Sequence, residues 1–390
     1  TAYSMIDTIP SVIRKQTCLN QNKRLWTLHI CRCAGFLPIS GLTQPDSDLT
    51  KCTLRSPYTL ILVASIALQG FWVVIEVYDN IVTPFDFKKF GKFLCTHYKI
   101  NFLFTLLLIP FSIKWKKMIV KIEKIERSLP PLKNSRKAVK KTNRMMIFIF
   151  CFGILYVIYT VKMTSNCYLL PDDTGFYLKS YFMTSFGWLF KYIPFSYSFS
   201  FIIRFSKFQF AFLWSFIDIL IVIFSLHLVF RFRDFNRIME QHQRNVRLPW
   251  LELQAYYTRL TRLVKIIDKN VNKFVLLSFI SNLCFIGQQV FYLMNTDWLT
   301  TINLYVSVSF LITRTALVSV FPARLNSLSR QPLDALHTIP ASAYDQDLQR
   351  FMDQVHFSKI GLSGLGFFYV TRGMILSVIL LVIVFFCECG

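Results

Sequence analysis

The sequence predicts an all-α membrane protein with seven transmembrane helices, its N-terminus cytoplasmic and its C-terminus extracellular. Three observations carry that expectation. The chain of 390 residues is 54% hydrophobic and only 17% charged, with 40 Phe, whereas a soluble domain carries about 25% charged residues. Its apolar residues gather into runs of about 20, the length that crosses roughly 30 Å of hydrocarbon at about 1.5 Å per residue. The net charge of +23 lies mostly between those runs, where orientation signals belong, and forms no single basic face for nucleic acid.

Residues 1–57 are polar and basic, with seven Lys or Arg, and open with no cleavable signal peptide, as expected of a cytoplasmic N-terminal segment. The first residue is Thr, so the natural start is expected further upstream. Residues 58–321 hold six spans: Tyr58–Tyr78, Phe93–Ile113, Met145–Val161, Phe208–Phe230, Phe274–Met294 and Leu299–Phe321. Pro110 is expected to kink the inner end of the second. Residues 322–365 form a charge-balanced cytoplasmic layer. Residues 366–386 form the seventh span, whose only charge is Arg372.

Basic residues set the orientation. Segment 114–144 carries twelve Lys or Arg and segment 231–273 carries ten, against four in 163–207 and none in 295–298. The two rich segments read as cytoplasmic loops. That topology is inverted relative to a G-protein-coupled receptor, and no Asp-Arg-Tyr follows span 3. Within 231–273, Leu251, Tyr256, Leu260, Leu263, Val264 and Ile267 recur at helical spacing, predicting an amphipathic helix that flows into span 5. Asp347–Phe357 predicts another. Together they suggest a packed intracellular layer between subunits or a surface on anionic lipid.

Catalytic and metal signatures are missing. The ten Cys are scattered, Cys31-Arg-Cys33 lacks a second ligand pair, and the six His are isolated. No phosphate loop or nucleophile elbow is present. Neither enzyme activity, nor a cofactor, nor a metal site is expected. The odd span number and lack of an internal repeat disfavour a duplicated transporter.

From span 4 onward the chain resembles the sugar-type gustatory receptors of insects. Phe212-Leu-Trp-Ser-Phe-Ile-Asp218 is similar to that family's fourth span. Tyr257-x-x-Leu260, Leu263-Val-Lys265, Asp268, Leu276-Leu-Ser-Phe279 and Asn282-Leu-Cys-Phe-Ile286 follow its fifth. Phe310-Leu-Ile-Thr-Arg-Thr315, Gln331-Pro-Leu333, Leu362-Ser-Gly364 and Phe367-Phe-Tyr-Val-Thr-Arg372 continue in family order, and Gly35-Phe-Leu-Pro-Ile-Ser-Gly41 fits its N-terminal pattern. One stretch departs. The family's last span carries a Thr-Tyr pair and a Gln-Phe ending, whereas here Ser377-Val378 runs into Ile-Leu-Leu-Val-Ile-Val-Phe-Phe386.

The resemblance implies a plasma-membrane, ligand-gated, non-selective cation channel of taste neurons, opened by small sugars and built as a homo- or hetero-tetramer around span 7. Arg372, Ser377, Leu380 and Val384 are then the pore and gating positions. The aliphatic tail implies either a hydrophobic, easily dewetted constriction or an altered chain end and a non-conducting subunit that modulates partner receptors. A metabotropic seven-span receptor is a third reading. A sugar site needs hydrogen-bonding groups for hydroxyls and aromatic faces for ring C–H groups. In the outer halves of the spans these are Trp72, Glu76, Tyr98, Asn101, Trp214, Asp218, Gln288, Gln289, Asn303 and Tyr305. Two readings of Asp218 stand, ligand contact and structural pairing with Arg314. Glu76 lies near the interface, within reach of water. At least one of Gln288 and Gln289 must face inward, since adjacent helix positions diverge by about 100°.

Overall fold

The computed structural model describes residues 39–40, 51–52, 57–82, 97–132, 135–166, 186–243, 250–293, 298–339 and 344–374, with single positions at 179, 182, 183, 376, 377 and 380. Its long helices are α1 (Pro57–Val82), α2 (His97–Arg127), α3 (Ser135–Asn166), α5 (Tyr197–Gln243), α6 (Trp250–Leu293) and α7 (Trp298–Arg330). Between α3 and α5 lies the single turn α4 (Gly187–Phe190). Two short helices follow α7, namely α8 (Pro332–His337) and α9 (Gln346–Phe357). The strands are two-residue pairs: β1 (Ile39–Ser40) with β2 (Lys51–Cys52), and β3 (Ser363–Gly364) with β4 (Phe368–Tyr369).

Over the described residues, each of the first six expected spans falls on a long helix. By length and composition α1, α5, α6 and α7 can cross a membrane. In α2 and α3, apolar runs are joined to basic ends. Of the expected seventh span, residues 372–374, 376, 377 and 380 are helical, and Val384 lies outside the described residues.

The helix that organises the bundle is α5, against which α2, α3, α6 and α7 all pack. Its apolar stretch is 94% buried, whereas that of α1 is 28% buried. A helix apolar on every side belongs in the centre, while one that buries only a stripe belongs at the rim. On α1 the buried residues are Thr59, Leu62, Ser65, Gln69, Trp72 and Glu76, spaced three or four apart. The exposed Leu60, Ile61, Val63, Phe71 and Val74 face outward. In a hydrocarbon solvent that division is the stable one, since polar side chains find partners only inside.

The segments expected as basic cytoplasmic loops are mostly helix. α2 continues through Arg127 and α3 begins at Ser135, while α5 continues to Gln243 and α6 begins at Trp250. At 47 and 44 residues, α5 and α6 are about 70 and 66 Å long, twice what a bilayer core requires. The amphipathic stripe predicted on α6 buries Tyr256, Leu260, Leu263, Val264 and Ile267, with Leu251 left exposed. α9 buries Leu348, Phe351 and Val355 against this extension and α8, and Asp345 caps it by accepting from Leu348 N at 2.7 Å.

Beyond the apolar run of α2, the buried Glu126 meets His227 and Arg231 of α5. His227 Nε2 lies 2.9 Å and Arg231 Nη2 3.1 Å from Glu126 Oε1, and Arg231 Nη1 donates to Pro130 O at 2.9 Å. Burial pushes the Glu126 carboxyl up, but His227 and Arg231 outweigh it and hold it at about 2, below its ordinary 4.5. The depressed value makes its contribution complete above pH 4.5 and lost as pH falls toward 2. Glu126→Gln leaves Arg231 buried without its counter-ion, and is expected to cost about 3 kcal/mol. Thermal melts of detergent-solubilised protein test this, and the variant is expected to lose the wild-type's steep loss of stability between pH 4.5 and 2.

Candidate functional site

Of the expected ligand residues on α1 and α2, Trp72 and Tyr98 come together in one apolar cluster. Trp72 is 1% exposed, packs 6.0 Å from Tyr98 and 6.3 Å from Phe199 between ring centroids, and donates from Nε1 to Ser206 Oγ at 3.2 Å. Phe182, Phe186, Leu189 and Ile203 complete its apolar surround. Glu76 does not reach out to water as its sequence position suggests. It is buried, and Lys99 Nζ lies 3.4 Å from its Oε1. The lysine that interrupts the apolar run of α2 is thus the counter-ion of the carboxylate on α1.

One helical turn toward the N-terminus of α1 is a polar network that sequence reasoning missed. Gln69 Nε2 donates to Ser65 Oγ at 2.9 Å and to Gln209 Oε1 at 3.1 Å, and Thr105 Oγ1 donates to Gln69 Oε1 at 3.0 Å. Gln209 Nε2 also reaches Ser65 Oγ. These side chains tie α1, α2 and α5 together at one depth. The signal was present in the spacing of Ser65, Gln69, Trp72 and Glu76, which places four groups with polar atoms on one face of an apolar helix.

A second centre lies between α5, α6 and α7. Asp218 is fully buried, accepts from Arg314 Nε at 2.6 Å on Oδ2, and accepts from Ser278 Oγ at 2.8 Å on Oδ1. The Arg314 guanidinium carbon stands 3.9 Å from the centroid of the Trp214 ring, so the cation is held by a carboxylate and an aromatic face together. Phe285 also packs on Trp214, at 5.0 Å between ring centroids. Gln288 and Gln289, three and four residues beyond Phe285, are both half-buried on the adjoining turn. The cavity between α3 and α7 beside Arg314 is about 10 Å³, about the room one water needs.

Two of the sequence-selected residues carry buried polar atoms without a hydrogen-bond partner among the described residues. They are both carboxamide atoms of Asn101 and the indole Nε1 of Trp214. Buried groups of this kind are rare in native proteins. Tyr305 is not gathered into either centre, being 51% exposed, and the side chain of Asn303 lies outside the described residues. Arg372, Ser377 and Leu380 are exposed on the short helical start of the last segment.

That segment is held at its base by a contact the sequence did not reveal. Asp268 on α6 accepts from Ser363 N at 2.6 Å and from Ser363 Oγ at 2.9 Å. Burial raises the Asp268 carboxyl above its usual range, and the two Ser363 hydrogen bonds pull it back. The turn between β3 and β4 needs left-handed backbone at Leu365 (φ 52°) and Gly366 (φ 83°). The glycine accepts that conformation freely and the leucine at a cost of about 1 kcal/mol. Asp268 and Ser278 lie on one uninterrupted helix, about 15 Å apart, so α6 connects the Asp218 centre rigidly to the base of the last segment.

Comparison with known proteins follows this geometry. A family model described as "Trehalose receptor" matches residues 22–386. The chain is similar to the Drosophila melanogaster gustatory receptor for sugar taste 64f, 24% identical over 88% of this chain and 74% of that protein. It is also similar to the D. melanogaster gustatory receptor for sugar taste 64b, 26% identical over 90% of this chain and 89% of that protein. Among solved structures, the insect olfactory receptor OR5 from Machilis hrabei superposes with a TM-score of 0.70 over 95% of this chain and 98% of its own, at 12% identity. That likeness shows the shared fold.

Removal of one member of the Asp218–Arg314 pair is expected to be far worse than removal of both. Asp218→Leu or Arg314→Met alone strands a buried charge at about 3–5 kcal/mol, whereas the double replacement recovers most of that loss. Melting of the three purified variants in detergent measures the coupling directly.

Proposed function

The chain belongs to the trehalose receptor family of insect gustatory receptors, and from that premise we propose that it detects small sugars as a ligand-gated cation channel of the plasma membrane. The observation that carries the ligand half is the pairing of unpartnered buried hydrogen-bonding groups, on Asn101 and Trp214, with packed aromatic faces. Sugars present hydroxyls to the first and ring C–H groups to the second. The outer halves of spans 1 to 6 supply this surface, with Trp72, Glu76, Tyr98, Gln288, Gln289, Asn303 and Tyr305 as further contacts. Admission of a sugar there then requires α3 and α7 to part, since the cavity beside Arg314 holds about 10 Å³.

In this reading the N-terminus is cytoplasmic, the C-terminus extracellular, and four copies, identical or mixed, place span 7 around a central path for cations. Ser377, Leu380 and Val384 line that path and Arg372 guards its inner mouth. Displacement of α6 by ligand is transmitted through Asp268 to Ser363 and so to the base of span 7. The aliphatic run after Val378 favours one alternative, a subunit that binds sugar but conducts only with partner receptors.

Whole-cell recording from cells expressing the chain alone, perfused with a panel of sugars, separates these readings. A C-terminal epitope stained on unpermeabilised cells verifies delivery and orientation together. Prompt current that survives G-protein block supports the channel, and silence despite surface staining assigns conduction to partners. Asn101→Leu preserves volume but removes both polar atoms, and is expected to raise the half-effective sugar concentration about five- to tenfold. Asp268→Ala is expected to lower the maximal current while leaving equilibrium sugar binding within about twofold, because the loss lies in transmission.

A further inference from the structure

Five cationic side chains from three helices converge where the apolar runs of α3, α5 and α7 end. Lys141 and Arg144 lie three apart on α3, Arg233 and Arg237 four apart on α5, and Arg324 on α7, so each pair shares a helix face. Arg144 directly precedes the apolar run of α3, Arg233 stands three residues past Phe230, and Arg324 three past Phe321. These three therefore stand at one headgroup level, with Lys141 and Arg237 about one helical turn further from the apolar runs. Lys141 feels the charges of Arg233, Arg324 and Arg144, and Arg233 those of Arg324 and Arg237, with Asp234 the opposing carboxylate. Asp234 lies 3.2 Å from Arg237.

Charges that only orient a helix need no convergence, since each acts from its own loop. Here Lys141, Arg233 and Arg237 are half-buried, and burial followed by mutual repulsion pushes Lys141 and Arg233 below their ordinary basicity. Such an arrangement is stabilised by an anion that several cations share. Arg presents planar donor forks that match phosphate oxygens. At headgroup depth the anion within reach is a phosphorylated lipid, and basic pockets between spanning helices are the form such sites take.

We propose that Lys141, Arg144, Arg233, Arg237 and Arg324 form a binding site for the phosphomonoester headgroup of an inner-leaflet lipid of the phosphatidylinositol phosphate class. Assignment to the inner leaflet rests on the orientation proposed above, but the binding chemistry does not. The bound headgroup bridges the inner ends of α5 and α7, the helices joined deeper in the bundle by Asp218 and Arg314. It offsets the repulsion among the five cations.

The test titrates a fluorescent short-chain phosphatidylinositol bisphosphate with the full-length protein in detergent and reads polarisation, a measurement independent of conduction and topology. At about 1 kcal/mol per cation, the exposed or half-exposed pair Arg233→Gln and Arg324→Gln is expected to weaken binding about 30-fold. The control Lys114→Gln with Lys121→Gln removes equal charge from the exposed face of α2 and is expected to leave affinity unchanged. Should the double variant lose its melting transition, the Arg324→Gln single variant, expected to weaken binding about fivefold, decides the matter. Equal loss in the control overturns the site in favour of diffuse surface charge, and no loss in either overturns it outright. Unlabelled inositol trisphosphate competing as strongly as the lipid overturns the lipid assignment in favour of a soluble phosphate. Phosphatidylserine competing equally overturns the phosphomonoester specificity.

Discussion

Asp218 sits at zero exposure within the helix against which α2, α3, α6 and α7 pack, and its charge is tolerated there only because two neighbouring helices supply its partners. The Ser278 hydroxyl comes from α6 and the Arg314 guanidinium from α7, and that guanidinium is itself held over the face of Trp214 on α5. An unpaired carboxylate in that environment would cost several kcal/mol. Neither hydrocarbon nor packed Phe distinguishes one helix register from another, because apolar surface is non-directional. A charge that must meet one hydroxyl and one guanidinium does distinguish them. This centre specifies how α5, α6 and α7 are rotated and shifted against one another, and the apolar core fills in around that choice.

The same physics repeats outward and inward along α5. Gln209 joins Gln69, Ser65 and Thr105 on α1 and α2, and His227 and Arg231 join Glu126 on α2. α5 thus carries three polar anchors at different depths, each recruiting a different set of neighbours. Between them the contacts are aromatic and tight. Gly153 of α3 comes so close that an added Cβ would stand 2.8 Å from Ser215 Oγ. Close approach of helix backbones through small residues is the ordinary means of association where lipid offers no hydrophobic drive.

The long extensions of α5 and α6 change how the centre at Trp214 and Asp218 relates to the chain's last segment. A helix transmits displacement along its length far better than a loop, since its hydrogen bonds resist bending. α6 carries Phe285 against Trp214 at one level, Ser278 on Asp218 at the next, and Asp268 on Ser363 at the base of the final segment. The centre at Trp214 and Asp218 and the terminal segment are therefore joined by one element and two directional contacts. The strained turn at Leu365 and Gly366 marks where the chain leaves that element and changes direction.

Much of the architecture was legible in the residues themselves. Runs of apolar side chains long enough for a bilayer placed the six long helices, and the amphipathic spacing of Tyr256 to Ile267 placed the N-terminal part of α6, because periodicity is a local property. Membership in the receptor family was legible for a similar reason, since motifs such as Phe310-Leu-Ile-Thr-Arg-Thr315 are contiguous. Partnership was not. That Glu76 meets Lys99, that Gln69 meets Gln209 across 140 positions, and that Asp268 holds Ser363 across 95 depends on which helix faces touch. Basic residues that read as a single kind of orientation signal separated into a buried partner of Glu126, a convergent cluster and an exposed row on α2. Hydrophobicity and charge of a sequence determine that helices form and cross the membrane. Only the tertiary packing decides which buried polar group each one meets, because a buried polar group is satisfied within about 3 Å or not at all.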